Sequence, residues 1–388
     1  MSLTRTVVTS VGVVLLALTA RDVKAQGAQR ETLLVTVSCP KCSIKTSRVG
    51  ALGGDGGALD EVGEFLSLTL NSSGNLFLTA LGSSQVLEVT PQGRVLRKLG
   101  RGGDGPGEIR RPKSVTLAAK DSIFVYDERL GRISVFASTG PFVRSFRVSP
   151  HLKTVLPLGG TSVIASARIS TLDPKRRDHI AVFALHSFSG DSLTGSFGEV
   201  IKRIDPRNPY QFVRILVPYH GGLIAIRKST HYVIEHWDKA GRTLISRLVR
   251  EPRWFPESEI FSLPNPDSPA SSFVVGAWID SQDRLWVISN RAGQHWKEAF
   301  GPMVASPEGK GRLMRSVLHP ELLTEGMVEV IDVQRQSLVF SSALPFSVHY
   351  VPGGGLVGAA RRNEDGAVVV TLYHLDLASG NVPVAVEK

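Results

Sequence analysis

The stretch from Gly100 to Val148 reads GRGGDGPGEIRRPKSVTLAAKDSIFVYDERLGRISVFASTGPFVRSFRV and decides the fold. A glycine-rich loop opens it, and four short segments follow, separated by turn residues. The segments are Ser114–Leu117, Ser122–Tyr126, Arg132–Phe136 and Phe142–Val148. Because β-branched, aromatic and alternating residues fill them, they are predicted to be strands. Four strands in about fifty residues predict an antiparallel meander.

The same pattern occurs upstream. Asn75–Leu78 stands 47 residues before Ser122–Val125, and Val86–Val89 stands at the same spacing before Ile133–Phe136. A related glycine loop, Gly53-Gly54-Asp55-Gly56, precedes this first copy. Repeats of roughly 40–50 residues are typical of β-propeller blades. A single blade has two apolar faces, so a ring of blades that covers both is expected.

The motifs of the second copy resemble a known repeat. A glycine loop is followed by P-x-S-V from Pro112, D-x-I-x-V-x-D from Asp121, R-I-x-V-F from Arg132 and a glycine at Gly140. This order resembles an NHL-type repeat, and the whole chain is similar to the six-bladed NHL/TolB-like propellers that bacteria export. The resemblance implies an all-β, six-bladed β-propeller with four-stranded antiparallel blades.

The remaining blades follow from a pass along the chain. The six units are expected to begin near Phe65, Pro112, Thr154, Gln211, Ser272 and Phe346. Proline-rich Arg250–Ser272 is predicted to be a long loop that crosses between blades, because proline removes backbone donors. The strand pattern breaks over 290–326, which predicts an insertion in the fifth blade. An N-terminal strand, Thr32–Val37 or Ser43–Val49, is expected to complete the last blade.

The beginning of the chain is predicted to be a secretory signal, Met1–Ala25. Arg5 is followed by an apolar run that ends at Ala20 and by a small-x-small pattern that ends at Ala25. The alternative is an uncleaved anchor, although the run is shorter than the roughly 20 residues of a spanning helix. The expected mature chain, 26–388, is a single propeller without a membrane span. It is expected to be a monomer, either secreted or periplasmic.

The chain has 388 residues and a formal net charge of +10. The charge is spread along the chain, and Lys175-Arg176-Arg177 is the only tight basic run. Since no aromatic–basic motif accompanies it, a solvated surface is favoured over nucleic-acid binding. We therefore expect no nucleic-acid partner.

Two cysteines, Cys39 and Cys42, form a C-P-K-C motif. In an oxidising compartment the motif predicts a local disulfide, with free thiols or a redox or metal role as alternatives. Ser43 follows the motif where a c-type haem site would have histidine. No further thiols or histidine pair stand close enough in sequence to suggest zinc.

Candidate binding residues are expected at the mouth of the central channel, where loops surround a concave rim. In the glycine loop Asp104, Glu108 and Arg111 can present charges, although a turn that needs positive φ is the favoured explanation of the glycines. Arg129 belongs to a neighbouring charged cluster in which Asp127 and Arg132 are expected to form an ion pair between strands. His349, near the last inner strand, is either a channel residue or a core histidine.

The fifth-blade insertion supplies three more candidates, His295, Trp296 and Lys297. Long loops without strand periodicity often bind ligands. A tryptophan beside basic residues suits an aromatic–polar partner or a sugar. The alternative is that Trp296 only packs the insertion onto its blade.

Catalytic residues are not predicted. Six-bladed lactonases hold calcium with carboxylates and amides on the inner strands, but only Glu64 among the residues entering those strands has that chemistry. A G-x-S-x-G elbow is absent, and the histidines are scattered. We therefore expect no cofactor, with calcium unsupported. The leading hypothesis is an exported scaffold that binds a protein, peptide or glycan, and the alternative is a metal-dependent propeller hydrolase or lyase of lactonase type.

Overall fold

A computed structural model describes residues 31–54, 59, 64–148, 152–169, 182–201, 205–238, 243–258, 260–305 and 313–378. The predicted signal Met1–Ala25 and the basic run Lys175-Arg176-Arg177 lie outside the described residues. Gly53-Gly54-Asp55-Gly56 lies partly outside them.

The chain folds into six antiparallel four-stranded sheets, which we number as blades 1–6. Blade 1 comprises β3 (Phe65–Leu70), β4 (Leu76–Ala80), β5 (Val86–Val89) and β6 (Val95–Leu99). Blade 2 comprises β9 (Pro112–Leu117), β10 (Ile123–Asp127), β11 (Arg132–Phe136) and β12 (Phe142–Arg147). Blade 3 comprises β13 (Leu152–Gly159), β14 (Ser162–Ala167), β15 (Val182–Ser189) and β16 (Ser192–Ile201).

The second half of the chain repeats the arrangement. Blade 4 comprises β17 (Arg214–Tyr219), β18 (Gly222–Arg227), β19 (Tyr232–Trp237) and β20 (Leu244–Arg250). Blade 5 comprises β21 (Phe273–Ile279), β22 (Arg284–Ala292), β25 (Thr324–Asp332) and β26 (Ser337–Leu344). Blade 6 comprises β27 (Tyr350–Gly353), β28 (Leu356–Arg362), β29 (Val368–Ala378) and, as its outermost strand, β2 (Ser43–Leu52).

The blades form a closed ring. The first strand of each blade lies against the first strand of the next, and β27 of blade 6 lies against β3 of blade 1. The side chains between neighbouring blades form the core; for example, Phe77 and Val86 of blade 1 pack with Val115 and Ile123 of blade 2. The fold is therefore the predicted six-bladed β-propeller.

The N-terminal segment runs along the outside of three blades. β1 (Glu31–Leu33) pairs in parallel with β20 of blade 4, and the amide of Ser38 then donates to the carbonyl of Leu338 in blade 5. β2 pairs with β29 and completes blade 6. Of the two predicted closing strands, Ser43–Val49 is the correct one, whereas the segment around Thr32 pairs elsewhere.

Cys39 and Cys42 are joined by a disulfide, with their Cα atoms 5.4 Å apart. The amide of Cys39 bonds to the carbonyl of Val339 in blade 5, and Ser43 begins the closing strand. The disulfide therefore fixes the turn by which the segment passes from blade 5 to blade 6.

Short elements lie outside the blades. They are the paired two-residue strands β7 (Arg101–Gly102) and β8 (Glu108–Ile109), the hairpin β23 (Phe300–Ala305) and β24 (Leu313–Val317), and the 3₁₀ turns Ala119–Asp121, Trp296–Ala299 and Pro320–Leu322. The hairpin and the last two turns lie within the insertion predicted over 290–326.

Candidate functional site

The connections that enter each first strand lie at one end of the blades, which we call the loop face. Since strands within a blade are antiparallel, the turn between the second and third strands lies at this end too. The loop face therefore carries the glycine loop 100–111, the proline-rich loop 251–272 and the insertion 293–323. All eight predicted binding residues belong to loop-face segments.

The glycine loop is held by two side chains of blade 2. Asp127, which is 1% exposed, accepts hydrogen bonds from the amides of Arg110 at 2.6 Å, Arg111 at 3.1 Å and Leu130 at 3.0 Å. Arg132 donates to the carbonyls of Asp104, at 2.9 Å, and of Gly105 and Glu108. The predicted ion pair between Asp127 and Arg132 is replaced by these separate bonds, because the loop presents both amides and carbonyls to the blade.

Asp104 and Glu108 also bond within the loop. The Nε of Arg110 donates to Asp104 at 2.8 Å, and this bond lowers the pKa of the Asp104 carboxyl. The amide of Gly105 donates to Glu108 at 2.7 Å, and this bond, together with one from Arg101, lowers the pKa of Glu108. A Cβ on Gly103 would lie 2.0 Å from the Glu108 carboxylate, so the glycine permits this closure. These contacts give the loop charges a structural role.

Arg111 and Arg129 lie in the two loop-face connections of blade 2. The Nε of Arg111 is 3.8 Å from Glu128, which also accepts a hydrogen bond from Lys113 at 2.7 Å. Burial acts to raise the pKa of Glu128, but the bond from Lys113 and the neighbouring positive charges lower it overall. Arg129 is exposed at the tip of the adjacent turn.

His349 extends the inner strand of blade 6. Its amide donates to the carbonyl of Gly358 at 2.8 Å, and its Nδ1 accepts from the amide of Ala360 at 3.1 Å. An acceptor role at Nδ1 requires the neutral ring. Desolvation by the surrounding chain likewise lowers the pKa of His349, although the residue as a whole is exposed. The ring therefore continues the strand ladder.

The three insertion candidates contact one another or their own segment. His295 Nδ1 lies 2.9 Å from the Glu298 carboxylate. Trp296 meets the ring of Phe300 edge-on at 6.3 Å, and the ammonium of Lys297 lies 5.6 Å from the centre of the Trp296 ring. Trp296 thus packs onto the hairpin of the insertion.

A cleft of about 410 Å³ opens between the proline-rich loop and the base of the insertion. We call it the loop-face cleft. Its volume falls within the range of small-ligand sites, roughly 300–1,000 Å³. It is lined by Arg253, Trp254, Pro256, Pro269, Ala270, Ser272, Arg291, Ala292, Gln294 and Glu325.

The proline-rich wall of the cleft is held in place by aromatic contacts and a hydrogen bond. The Trp254 indole meets Tyr232 and Phe255 edge-on, at 6.1 and 5.7 Å. The Ser272 hydroxyl donates to the Trp254 carbonyl at 2.6 Å, which ties the two ends of the loop together. Proline further restricts the backbone. The indole therefore holds its position without a ligand.

The opposite wall begins where the insertion leaves blade 5. Arg291 of β22 faces Glu325 of β25 in the strand register, and their charged groups are 2.6 Å apart. A Cβ on Gly293 would lie 2.2 Å from the carbonyl of Leu322, so only glycine fits where the two ends of the insertion meet. This pairing fixes the mouth of the cleft.

A further group of contacts holds the proline-rich loop against blade 4. The Lys228 ammonium lies 5.1 Å from the centre of the Tyr210 ring and 6.0 Å from that of Phe273. Phe261 of the loop meets both rings edge-on, at 4.6 and 6.1 Å. Burial lowers the pKa of Lys228. The cation and three rings fasten the middle of the loop.

The candidate binding residues that the sequence predicts in the insertion lie a few residues away from those that line the cleft. The sequence pattern of the insertion points to the tryptophan at 296, whereas the insertion residues that line the cleft are Arg291, Ala292 and Gln294. For the proline-rich segment the sequence predicts only a crossing loop. A signal was present there, because Arg253 and Trp254 stand between Pro252 and Pro256, where the backbone is restricted.

Neither a metal cluster nor a spanning helix is found among the described residues. No group of three or more histidine, cysteine, aspartate or glutamate side chains there could hold a metal ion. Likewise, none of the described helices is long and apolar enough to cross a membrane.

Comparison with known proteins shows the fold. No protein-family model and no curated protein matches the chain. A member of the DUF4221 family from Bacteroides vulgatus is similar in structure, with a TM-score of 0.54 and 9% identity over 87% of this chain and 99% of the other. A Bacteroides fragilis protein named as a "Putative exported protein" has a TM-score of 0.51 and 12% identity over 89% and 99%. At such identities the likeness extends to the propeller alone.

Proposed function

We propose that this protein is an exported propeller scaffold that binds a protein, peptide or glycan in the loop-face cleft. The observation that carries the proposal is the cleft itself, which has an anchored Trp254 on one wall and the Arg291–Glu325 pair on the other. Pre-positioned side chains lose little conformational entropy on binding, so such a wall suits a recognition site.

Three observations support export as part of this proposal. The sequence of Met1–Ala25 has the pattern of a secretory signal. A disulfide joins Cys39 to Cys42, and disulfides persist in oxidising compartments. One structurally similar protein is named as a "Putative exported protein". We also propose that the blades are of the NHL/TolB-like type, since the strands of blade 2 fall on the motifs quoted above, and that the protein is a monomer.

The cleft is favoured over the glycine loop and His349 because the polar groups of those candidates are already engaged. Asp104, Glu108 and His349 each bond within their own loop or strand. A ligand there would have to replace existing bonds, which reduces the net gain. Arg253 and Gln294 in the cleft are exposed and make no such bonds within the described residues.

The proposal is tested by filling the cleft with a bulky side chain. Gln294→Trp adds a large ring to the exposed lining and leaves the blade core untouched. Gln282→Trp is the matched control, since Gln282 is exposed in a turn at the opposite end of blade 5. Labelled mature protein is applied to glycan and peptide arrays. We expect ligands that bind the wild type and the Gln282→Trp variant but not Gln294→Trp.

Ligands that bind all three proteins equally would contradict the proposal, because binding would then lie outside the cleft. Thermal unfolding of both variants is measured in parallel. Similar melting temperatures show that a lost signal reports the cleft and not the fold.

A further inference from the structure

We propose that the loop-face cleft recognises an acidic sugar, a pyranose ring that carries a carboxylate. This inference rests on the proposed binding function and names its ligand class. Three features of the cleft carry it: a rigid aromatic wall, an uncommitted guanidinium, and polar groups that complement hydroxyls.

The aromatic wall suits one face of a sugar ring. A pyranose has a flat surface of C–H groups, which packs against an indole much as another apolar group would. Trp254 is held by edge-on ring contacts with Tyr232 and Phe255, so its ring does not have to be ordered on binding. Pro256 and Pro269 add stiff apolar surface beside it.

The uncommitted guanidinium belongs to Arg253. Its side chain is exposed, and it makes no hydrogen bond or ion pair with any residue in the described part of the chain. Arg291, by contrast, is held by Glu325 at 2.6 Å. A guanidinium binds a carboxylate through two parallel hydrogen bonds, a geometry that a single ammonium lacks. Arg253 is therefore the group that would select the acid.

The remaining polar groups complement hydroxyls. Both contacts of Arg291 fall on Oε1 of Glu325, so Oε2 is available to accept a hydrogen bond. Gln294 is exposed and has an amide that can both donate and accept. A carboxylic acid without hydroxyls would leave Oε2 of Glu325 without a donor, at a cost in affinity. A ring bearing both hydroxyls and a carboxylate satisfies every group.

A peptide strand is disfavoured by the backbone around the cleft. Strand addition needs an open sheet edge whose amides and carbonyls can pair. At the start of β21 the amide of Val274 already donates to the carbonyl of Lys228 at 2.7 Å, and Phe273 bridges Ser229. The cleft is lined mainly by loop residues and strand ends, so recognition must come from side chains.

The experiment compares matched ligands by calorimetry with the mature protein. The methyl glycosides of glucuronate, galacturonate and mannuronate are each titrated against the neutral hexoside of the same stereochemistry. At least one acid is expected to bind tenfold or more tightly than its neutral partner, and added salt should reduce this preference. Arg253→Ala should weaken binding of the acid about tenfold and leave the neutral sugar unchanged.

Arg94→Ala is the control, because Arg94 is an exposed arginine in a turn at the other end of blade 1. It is expected to keep the acid preference. If no acid exceeds its neutral partner, or if Arg253→Ala retains the preference, the acidic-sugar inference is overturned. Array ligands that Gln294→Trp blocks would still support the binding function in that case, so the two proposals fail separately.

Discussion

At the scale of single residues, His186 shows how burial determines a protonation state. It is 1% exposed in blade 3, and its Nδ1 lies 2.8 Å from the Ser196 hydroxyl and its Nε2 3.1 Å from the Phe183 carbonyl. A neutral imidazole satisfies both, since one nitrogen donates to the carbonyl and the other accepts from the hydroxyl. Burial correspondingly lowers the pKa of His186.

This lowered pKa predicts a loss of stability on mild acidification. The unfolded chain binds a proton near pH 6.5, whereas the folded protein resists it to lower pH. The contribution of His186 is therefore fully present above pH 6.5 and is lost as the pH falls toward its folded pKa. The expected slope is about 1 kcal/mol per pH unit per histidine. Chemical denaturation between pH 8 and pH 5 measures it.

His186→Gln provides the comparison. The variant should be less stable than the wild type at pH 8, but its stability should fall less steeply between pH 7 and pH 5. His236, whose pKa burial also lowers, should keep part of the slope. An unchanged slope in the variant would show that His186 does not contribute to it.

At the scale of elements, Asp127 joins the glycine loop to blade 2. Replacing it with alanine leaves the amides of Arg110, Arg111 and Leu130 without their acceptor. Since each unsatisfied buried group costs about 1–3 kcal/mol, and water reaches some of these, we expect Asp127→Ala to lower the free energy of unfolding by about 3 kcal/mol. Urea denaturation measures the change.

Asp104→Ala is the control for this prediction, because Asp104 is exposed and bonds to the exposed Arg110 side chain. It should leave the free energy of unfolding nearly unchanged, because exposed ion pairs contribute little to stability. If the two variants were equally stable, the buried carboxylate would not hold the loop.

The blade strands could be predicted because their patterns are local. Ser162–Ala165 and Tyr232–Trp237 are apolar runs between turns, and both become strands of the expected blades. The loops were harder to predict from the sequence, because their structure depends on distant partners. The middle of the proline-rich loop is held by Lys228, Tyr210 and Phe273, residues of other segments, so the cleft has no signature within one stretch.

The same dependence on distant partners explains why the sequence did not decide where the N-terminal segment pairs. Thr32–Val37 has the composition of a strand, but composition does not select the pairing partner. Leu34 is 2% exposed in the core formed with blades 4 and 5, and this burial holds the segment there. The part of the N-terminal segment that reaches blade 6 is therefore β2, which has ten residues. Long-range packing therefore decided between two strands that the sequence left equivalent.

At the scale of the whole molecule, polar bonds between blades supplement the apolar core. The Thr154 hydroxyl of blade 3 donates to the carbonyl of Arg214 in blade 4 at 2.7 Å. Between blades 6 and 1 the Tyr350 hydroxyl donates to the carbonyl of Phe65 at 2.8 Å. Each bond satisfies a main-chain group of a first strand and ties that strand to the first strand of the next blade.

Closure by β2 predicts different outcomes for two truncations of the chain. A variant beginning at Ser43 loses the segment along blades 4 and 5 but keeps the closing strand. It should fold with a lower melting temperature, because Leu34 and the bonds of Ser38 and Cys39 are lost. A variant beginning at Gly53 also loses β2, which exposes the edge of β29 and uncovers its core residues Val370 and Leu372.

The second variant should aggregate or unfold without a cooperative transition, because an open strand edge and uncovered apolar surface both promote association. Adding a synthetic peptide of residues 43–52 should restore the cooperative transition if the missing strand is the cause. Calorimetry and sedimentation measure both effects. A Gly53 variant that melted cooperatively at the temperature of the Ser43 variant would show that the ring holds without its closing strand.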